Sequence, residues 1–137
     1  MTPEALAVIH AAAFPASRGW SAEEFTALLA SSHCFMVSFQ DAFALGRVIV
    51  DEVELITIAT HPNHQGQGLG RRCLQGFQGE ARRRGATSAF LEVAADNRLA
   101  IHLYESEDWH RTGLRKGYYA RPSGPPVDAV LMHKSLT

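Results

Sequence analysis

The architecture of this chain is most readily inferred from the segment His61-Pro-Asn-His-Gln-Gly-Gln-Gly-Leu-Gly-Arg-Arg-Cys-Leu74. It follows a β-branched run, 53–60, and opens an amphipathic segment that ends at Gly85. A strand that breaks into glycines and then becomes a helix presents unpaired backbone N–H groups at the helix start, where the helix dipole also attracts anions. Because glycine has no Cβ, the backbone can approach a ligand closely there. The segment therefore predicts a phosphate-binding loop.

The spacing of the glycines distinguishes between the known kinds of phosphate loop. A Walker loop needs Lys-Ser or Lys-Thr after its last glycine, and a dinucleotide fingerprint needs a glycine where this chain has Arg71. The remaining pattern, Gln65-x-x-Gly68-x-Gly70, resembles the acyl-CoA pyrophosphate loop of the GNAT family of N-acetyltransferases. A turn that merely joins a strand to a helix is the structural alternative. The resemblance assigns to the cofactor Gln65, Gly66, Gln67, Gly68, Leu69, Gly70 and Arg71.

Length and composition are those of one enzyme domain covering residues 1–137. A chain of 137 residues is long enough for one hydrophobic core and too short for two. Its hydrophobic fraction of 46% and charged fraction of 20% are ordinary for a globular protein. No apolar run approaches the roughly 18 residues of a membrane span, the amino terminus lacks a basic signal-peptide region, and the two cysteines are typical of reduced thiols. We therefore expect a cytoplasmic protein that contacts no membrane.

Charge is unevenly distributed along the chain, although the net charge is only −1. Residues 61–85 carry five arginines and one acid. Nucleic-acid-binding proteins are usually basic overall or along one face, whereas this basic segment coincides with the phosphate loop and favours a small anionic cofactor. Arg71 and Arg72 are expected to add positive charge beside the phosphate. The three arginines at 82–84 also complement the carboxyl end of the helix dipole.

Three other kinds of site are not supported by the spacing. His61 and His64 are separated by a proline that breaks helical geometry, and no third ligand is evident, so no metal site is expected. Ser17 and Ser21 lack the context of a nucleophile elbow. Cys73 lies on the apolar stripe of the predicted helix, which argues against an acyl-cysteine intermediate.

Hydrophobic periodicity divides the chain into helices and strands joined by short links. Helices are predicted at 3–13, after a capping box of Ser21 and Glu24, at 69–84, and from Asp96 or Asn97 to Glu107. Strands are predicted at 34–39, 42–50, 53–60, 88–94, 109–119 and 127–136. This order predicts an α/β (α+β) fold with a mixed, mainly antiparallel sheet and helices on both faces. Gly76 and Gly79 weaken their helix, so we expect close packing on the sheet at both.

Two side chains beyond the loop are candidates for proton transfer. Glu92 lies in the middle of a predicted strand, where desolvation of an unpaired carboxylate would make it a better proton acceptor. A structural pair with an arginine is the alternative. Tyr104 follows Asn97 by two helical turns on the same face, so both could line one groove. Its phenol could donate a proton to a departing thiolate, and a core tyrosine is the alternative.

The rest of the chain extends the resemblance to the GNAT family and, within it, to the bacterial ribosomal-protein-alanine N-acetyltransferases. The matching features are Phe14-Pro15, Trp20-Ser21, Asp51-Glu52, Leu91-Glu-Val93, Asn97, Leu103-Tyr-Glu105, Arg115, Tyr118-Tyr119, Asp128-Ala129 and Met132. They are spread over nearly the whole length. The resemblance implies that Glu92 is the base toward the substrate ammonium, that Tyr104 protonates the CoA thiolate, and that Asn97 contacts the pantetheine arm.

The resemblance further implies direct acetyl transfer from acetyl-CoA to a primary amine. A backbone N–H at the end of the central strand, from Ile58, Ala59 or Thr60, is expected to stabilise the oxyanion. We expect the acceptor to be the α-amine of a protein N-terminus, and specifically the N-terminal alanine of a ribosomal protein. An α-amine, with a pKa of about 7.7–8.0, is neutral at pH 7 far more often than a lysine with about 10.4. Substrate-binding roles are expected for Asp51, Glu52, Tyr118 and Tyr119.

Two departures from the family pattern carry structural expectations. Asp108 stands where the family usually has a glycine of positive φ, a conformation that aspartate tolerates better than most residues. The chain begins with its first helix and lacks the family's usual first strand, so one sheet edge would be uncovered or paired with another molecule. A small-molecule or lysine acetyltransferase and a non-catalytic acyl-CoA-binding domain stay open as alternative functions. The sequence leaves the oligomeric state open.

Overall fold

Six strands and four helices make up the computed structural model, which describes residues 1–16 and 18–137. The helices are α1 (Pro3–Ala13), α2 (Ala22–Ala30), α3 (Leu69–Arg83) and α4 (Arg98–Ser106). The strands are β1 (Cys34–Phe39), β2 (Ala42–Ile49), β3 (Glu52–Thr60), β4 (Ser88–Ala94), β5 (His110–Tyr119) and β6 (Val127–Ser135). Ser17, one of the two serines that lack the context of a nucleophile, lies outside the described residues.

The strands form one sheet in the order β1-β2-β3-β4-β6-β5, in which only the β3–β4 pair is parallel. The mainly antiparallel sheet is therefore confirmed, and the predicted ends of the elements agree to within two residues. The strand β2 ends one residue early because Val50 takes a φ of 60° and turns the chain into β3. Among the described residues, no helix is long and apolar enough to cross a membrane.

Local signals fix the starts of the first two helices as the sequence predicts. Thr2 Oγ1 accepts a hydrogen bond from Ala5 N at 3.1 Å. Ser21 and Glu24 form the reciprocal capping box, in which each side chain accepts from the backbone N–H of the other. Arg18 donates to both carboxylate oxygens of Glu24, at 2.7 and 2.9 Å. These contacts fix the starts of α1 and α2 and attach Arg18 to the first turn of α2.

Helices cover both faces of the sheet, and each face has its own apolar core. The helices α3 and α4 belong to a core that includes Phe35, Leu55, Leu74, Phe77, Leu91 and Trp109. The helices α1 and α2 belong to a second core made of Leu6, Ile9, Phe25, Phe43, Leu45 and Ala59. Successive residues of β2 alternate between the two cores, as the pleat of a strand with two buried faces requires. The predicted arrangement of helices is therefore confirmed.

The strands β3 and β4 pair only at their amino-terminal ends. Residues 52–54 pair with residues 88–90, although the strands contain nine and seven residues. On its other side β3 carries a bulge, because Leu45 pairs with Thr57 and the next residue of β2, Gly46, pairs with Leu55. Ile56 is the extra residue, and such a bulge bends its strand. The bend contributes to a gap between β3 and β4 that widens toward their carboxyl ends.

Two glycines inside α3 differ in what surrounds them. An ideal Cβ at Gly76 would lie 2.7 Å from Val37 Cγ1 of β1, whereas one at Gly79 would meet nothing within 4 Å. The expected close packing is therefore confirmed at Gly76 and wrong at Gly79. Helix α3 therefore packs closely on β1 at Gly76, whereas there is open space beside Gly79.

This difference predicts opposite effects of the same substitution in one helix. The Gly76→Ala variant should lose about 1–3 kcal/mol of unfolding free energy, because its methyl group overpacks a stiff β-branched neighbour. The Gly79→Ala variant should gain about 0.5–1 kcal/mol, since alanine favours the helix and has room there. Urea unfolding of both variants measures these changes, and equal stabilities would contradict the packing described above.

The left-handed conformation expected at Asp108 is confirmed. Asp108 has a φ of 67°, and its N–H donates to the carbonyl of Glu105 at 3.1 Å, which ends α4 in a turn. In residues 1–16 and 18–137, no strand pairs with the outer edge of β1.

Candidate functional site

A cavity of about 460 Å³ opens where β3 and β4 diverge. Its walls come from the end of α1 and the residues that follow it, from 55–58 of β3, from 91–94 of β4 and from the start of α4. The predicted site residues that line it are Ile58, Glu92, Asn97, Tyr104 and Tyr119. The gap in the sheet is thus a pocket of the size typical of a small-ligand site.

Glu92 lines the cavity from β4 and is paired with an arginine of β5. Its Oε1 lies 2.9 Å from Arg115 Nη2, and 24% of its side chain is exposed. The expectation of an unpaired carboxylate in apolar surroundings is therefore wrong, and the alternative of an arginine pair is what the structure has. Burial of a charge without a partner is costly, so this pair explains how a carboxylate is tolerated in the middle of a strand. Since the side chain lines the cavity, it is still a candidate proton acceptor.

Tyr104 belongs both to the core and to the cavity. Its side chain on α4 is only 5% exposed, and its ring lies 5.9 Å from that of Trp109. Burial raises the pKa of the Tyr104 phenol, and the nearby Tyr119 adds to this effect. A raised pKa keeps the hydroxyl protonated at neutral pH, which is the state that a proton donor needs.

The two adjacent tyrosines of β5 have different surroundings. Tyr119 is half-buried and lines the cavity, and its hydroxyl donates to the backbone carbonyl of Glu92 at 3.5 Å. Burial and then the Glu92 charge raise the pKa of Tyr119. Tyr118 is 53% exposed and does not line the cavity; its ring centroid lies 5.4 Å from the Arg115 guanidinium carbon. The structure therefore brings only one of the two predicted tyrosines to the site.

The glycine loop follows β3 and leads into α3, as predicted. Gly66 and Gly68 adopt φ values of 80° and 77°, and an added Cβ at either would meet nothing within 4 Å. Gly68 is the N-cap of α3, and no side chain caps this helix. A Cβ at Gly70 would instead lie 3.5 Å from Leu103 Cδ2. The loop thus offers uncapped backbone donors and open space, the two properties that a bound phosphate requires.

The arginines that follow the loop are engaged by other side chains. Arg71 Nη1 lies 2.7 Å from Glu107 Oε2, and the guanidinium carbon of Arg72 lies 4.6 Å from the centroid of the Phe39 ring. In this structure Glu107 balances the charge of Arg71, and the expected role of both arginines beside a phosphate stays a prediction.

The other three arginines of the basic segment lie at the far end of α3. A helix of 15 residues places them about 20 Å from the loop. There Arg83 and Arg84 pair with Glu80, at 2.8 and 2.9 Å, and Arg82 donates to the carbonyl of Leu136 at 3.0 Å. The alternative that these arginines complement the helix end fits this placement.

Asp51 and Glu52 lie at the opposite end of β3 from the cavity. Both are exposed, and Glu52 pairs with Ser88 at the start of β4. Six residues of strand separate Glu52 from Ile58, a distance of about 20 Å. The expected role of these acids, to receive a basic residue near the substrate terminus, gains no support from this placement and stays a prediction.

Sequence reasoning missed the cavity wall that comes from α1 and from the loop after β5. His10 and Trp20 line the wall on the α1 side, and Arg121 lines it from the loop. Arg121 donates to both carboxylate oxygens of Asp96, at 2.9 and 2.8 Å, which fastens the loop to the residues before α4. The Phe-Pro and Trp-Ser pairs of the family pattern were a signal for this wall, whereas nothing in the sequence singled out His10.

Comparison with known protein families bears on what such a site does. The model of the Acetyltransferase (GNAT) family matches residues 4–107, which is more than half of the chain. The chain belongs to this family. The matched range of the GNAT domain includes the glycine loop, Glu92 and Tyr104, and ends before β5 and β6. The family expected from the glycine spacing is confirmed.

Two relatives and one solved structure show how far the similarity of this GNAT domain extends. A ribosomal protein bS18-alanine N-acetyltransferase of Escherichia coli is 42% identical over 91 residues, which is 66% of this chain and only 61% of that relative. The N-alpha-acetyltransferase RimI of Mycobacterium tuberculosis is 35% identical over 137 aligned residues, covering 93% of this chain and 83% of that protein. The crystal structure of the ribosomal-protein-S18-alanine N-acetyltransferase from Escherichia coli superimposes with a TM-score of 0.87 at 31% identity, covering 98% and 88% of the two chains.

Proposed function

We propose that this GNAT domain transfers the acetyl group of acetyl-CoA to the α-amine of a protein N-terminus, with the N-terminal alanine of a ribosomal protein as the preferred acceptor. The observation that carries the proposal is that Glu92 and Tyr104 line one cavity. This cavity lies toward the end of β3, the strand that leads into the glycine loop. The printed activities of the Escherichia coli and Mycobacterium tuberculosis relatives support the choice of acceptor.

The residues present fit a CoA cofactor. The uncapped first turn of α3 and the open glycine loop, residues 65–71, would receive its pyrophosphate. Asn97, which lines the cavity and caps α4 by accepting from Ala100 N at 3.3 Å, would contact the pantetheine arm. When bound, acetyl-CoA supplies an acetyl group activated as a thioester.

Three groups of the protein would then act on the reacting atoms. Glu92 accepts a proton from the acceptor ammonium, directly or through water, and Tyr104 donates a proton to the leaving sulfur. A backbone N–H at 58–60 stabilises the negative charge that develops on the carbonyl oxygen, and of these residues Ile58 lines the cavity. An α-ammonium releases its proton to such a base more easily than a lysine ammonium does.

The acceptor is tested with three amines under identical conditions at pH 7. A peptide beginning Ala-Arg should be acetylated about 10²-fold faster than the same peptide with its α-amine blocked and one lysine free, because its amine is neutral far more often. Spermidine is the third acceptor, and mass spectrometry identifies each product. Faster acetylation of the lysine side chain or of spermidine would contradict the proposal, and no turnover of any amine would favour an acyl-CoA-binding domain.

The acids at the remote end of β3 provide a matched control for this assay. Because Asp51 and Glu52 lie outside the cavity lining and about 20 Å along β3 from Ile58, a double variant carrying Asp51→Asn and Glu52→Gln should acetylate the peptide at the wild-type rate.

A further inference from the structure

Arg115 reaches the candidate base from two strands away. In the sheet β6 separates β4 from β5, and Ala129 of β6 pairs with Ala94 on one side and with Arg115 on the other. Glu92 precedes Ala94 by two positions on β4, so its side chain lies on the same face as that of Arg115. Because Ala129 has only a methyl group, the long Arg115 side chain can cross β6, and its Nη2 lies 2.9 Å from Glu92 Oε1.

Other residues of β5 support both members of this pair. The Tyr119 hydroxyl donates to the backbone carbonyl of Glu92 at 3.5 Å. The Tyr119 ring meets the Tyr118 ring edge to face, with centroids 5.1 Å apart, and the Arg115 guanidinium lies over the Tyr118 ring. A cation over an aromatic face is attracted to it. The strand β5 therefore contacts Glu92 at its backbone and at its carboxylate, and the guanidinium that contacts the carboxylate is itself held in place.

The position of Arg115 relative to the cavity shows how it could affect the reaction. Glu92 lines the cavity, whereas Arg115 does not, so an effect of Arg115 on the reacting atoms would pass through the Glu92 carboxylate. A free glutamate side chain occupies several rotamers, but a general base must stay within hydrogen-bond reach of the proton it accepts. A carboxylate can accept about four hydrogen bonds, so the ion pair leaves capacity for an amine or a water molecule.

We infer that Arg115 is a positioning residue of this site, which holds the Glu92 carboxylate in the orientation that accepts a proton from the acceptor amine. The inference rests on the proposed function, because it takes Glu92 as the base. It gives the ion pair a part in the reaction as well as in stability. A purely structural pair would change the free energy of unfolding but not the kcat of the folded chain.

The Arg115→Gln variant should lower kcat for the Ala-Arg peptide about 10–10²-fold, because displacing a catalytic group costs less than removing it but is still felt strongly. Glutamine is uncharged and forms no ion pair with the carboxylate. The KM for acetyl-CoA should not change, since Arg115 lies outside the glycine loop. Arg115→Lys keeps the charge without the planar guanidinium and should recover part of the lost rate. It also takes the place of Arg115→Gln if that variant does not fold.

Arg111 provides a matched control on the same strand. Its side chain is 58% exposed, against 54% for Arg115, and its Nε lies 3.3 Å from Glu105 Oε2. However, Arg111 pairs with Met132, which belongs to the core beside α3 and α4. Arg111 therefore lies on the opposite face of the sheet from Glu92. The Arg111→Gln variant also breaks a pair with a glutamate, but its kcat should remain within about twofold of the wild-type value.

A double-mutant cycle with Glu92→Gln shows whether Arg115 acts through the base. Glu92→Gln alone should lower kcat about 10²–10⁴-fold, and adding Arg115→Gln should lower it by no more than about twofold further. Equal losses from Arg115→Gln in both backgrounds, or no loss in either, would overturn the inference while leaving the proposed function intact.

Two further outcomes concern the assumptions behind this cycle. A wild-type rate in Glu92→Gln alone would show that Glu92 is not the base and would overturn the inference. A wild-type chain that acetylates no peptide on its α-amine would contradict the proposed function, and the inference with it.

Discussion

The Tyr104→Phe variant should turn over about 10²–10⁴-fold more slowly than the wild-type chain, the loss typical of removing a positioned proton donor. The phenyl ring keeps its packing beside Trp109 in the core, so the fold and the affinity for acetyl-CoA should be nearly unchanged. Steady-state kinetics with the Ala-Arg peptide give kcat, and calorimetry gives the Kd of acetyl-CoA.

An exposed tyrosine of the same chain provides the control for this loss. Tyr118→Phe also removes one hydroxyl, but Tyr118 lies outside the cavity, so its kcat should remain within about twofold of the wild-type value. Since burial raises the pKa of Tyr104, loss of its proton should not limit the rate between pH 6 and about 9. A Tyr104→Phe variant with near wild-type kcat would show that Tyr104 is only a core residue.

The Gly68→Glu variant should lose acetyl-CoA affinity by about 10²–10³-fold, because juxtaposed like charges cost several kcal/mol. Its carboxylate would extend from the N-cap of α3, where the proposed site receives the pyrophosphate. The side chain itself has room, since an added Cβ meets nothing within 4 Å. Calorimetric titration with acetyl-CoA measures the loss.

Gly85→Glu is the matched control, because it introduces the same backbone strain at a position away from the glycine loop. Gly85 has a φ of 91° and open space around its Cβ position, but it lies beyond the other end of α3. Both substitutions place a side chain in a conformation that L residues rarely adopt. Only Gly68→Glu should weaken acetyl-CoA binding. Unchanged affinity in a folded Gly68→Glu variant would refute the assignment of the pyrophosphate to this loop.

The sequence contained enough information for the elements and for the loop, because these depend on neighbouring residues. The capping box of Ser21 and Glu24, the apolar stripe of α3 and the glycines of positive φ are all local patterns. Asp108 is a further example, since one residue type in place of glycine predicted a left-handed turn that the structure contains.

The partners of charged side chains could not be predicted from neighbouring residues. Glu92 meets Arg115 across β6, which lies between β4 and β5 in the sheet, and Arg71 meets Glu107 because α4 ends beside α3. Each pair joins residues more than twenty positions apart, so the neighbouring sequence gives no sign of either. The charge count of the basic segment also overestimated the positive charge near the loop, because three of its five arginines lie at the far end of α3.

The position of the cavity depends on the bulge in β3, which no residue pattern predicted. Ile56 belongs to an ordinary β-branched run, and its role as a bulge residue follows only from the register of β2 against β3. The surroundings of His10 likewise follow only from the fold, which brings the rings of Trp20 and Phe14 to within 4.7 and 4.8 Å of the imidazole.

The divergence of β3 and β4 has a consequence for which molecules can reach the unpaired backbone groups of these strands. Unpaired strand edges are templates on which another chain can add a strand, and an exposed edge therefore favours aggregation. Between 55–58 and 91–94 the sheet leaves backbone groups without a strand partner in its interior, flanked by helices and by three paired residues at the closed end. A small extended ligand can reach such a slot, whereas a whole strand of a neighbouring copy is too bulky to enter. The strand-like binding groups inside the sheet are thus available to ligands but not to another chain, unlike those on the outer edge of β1.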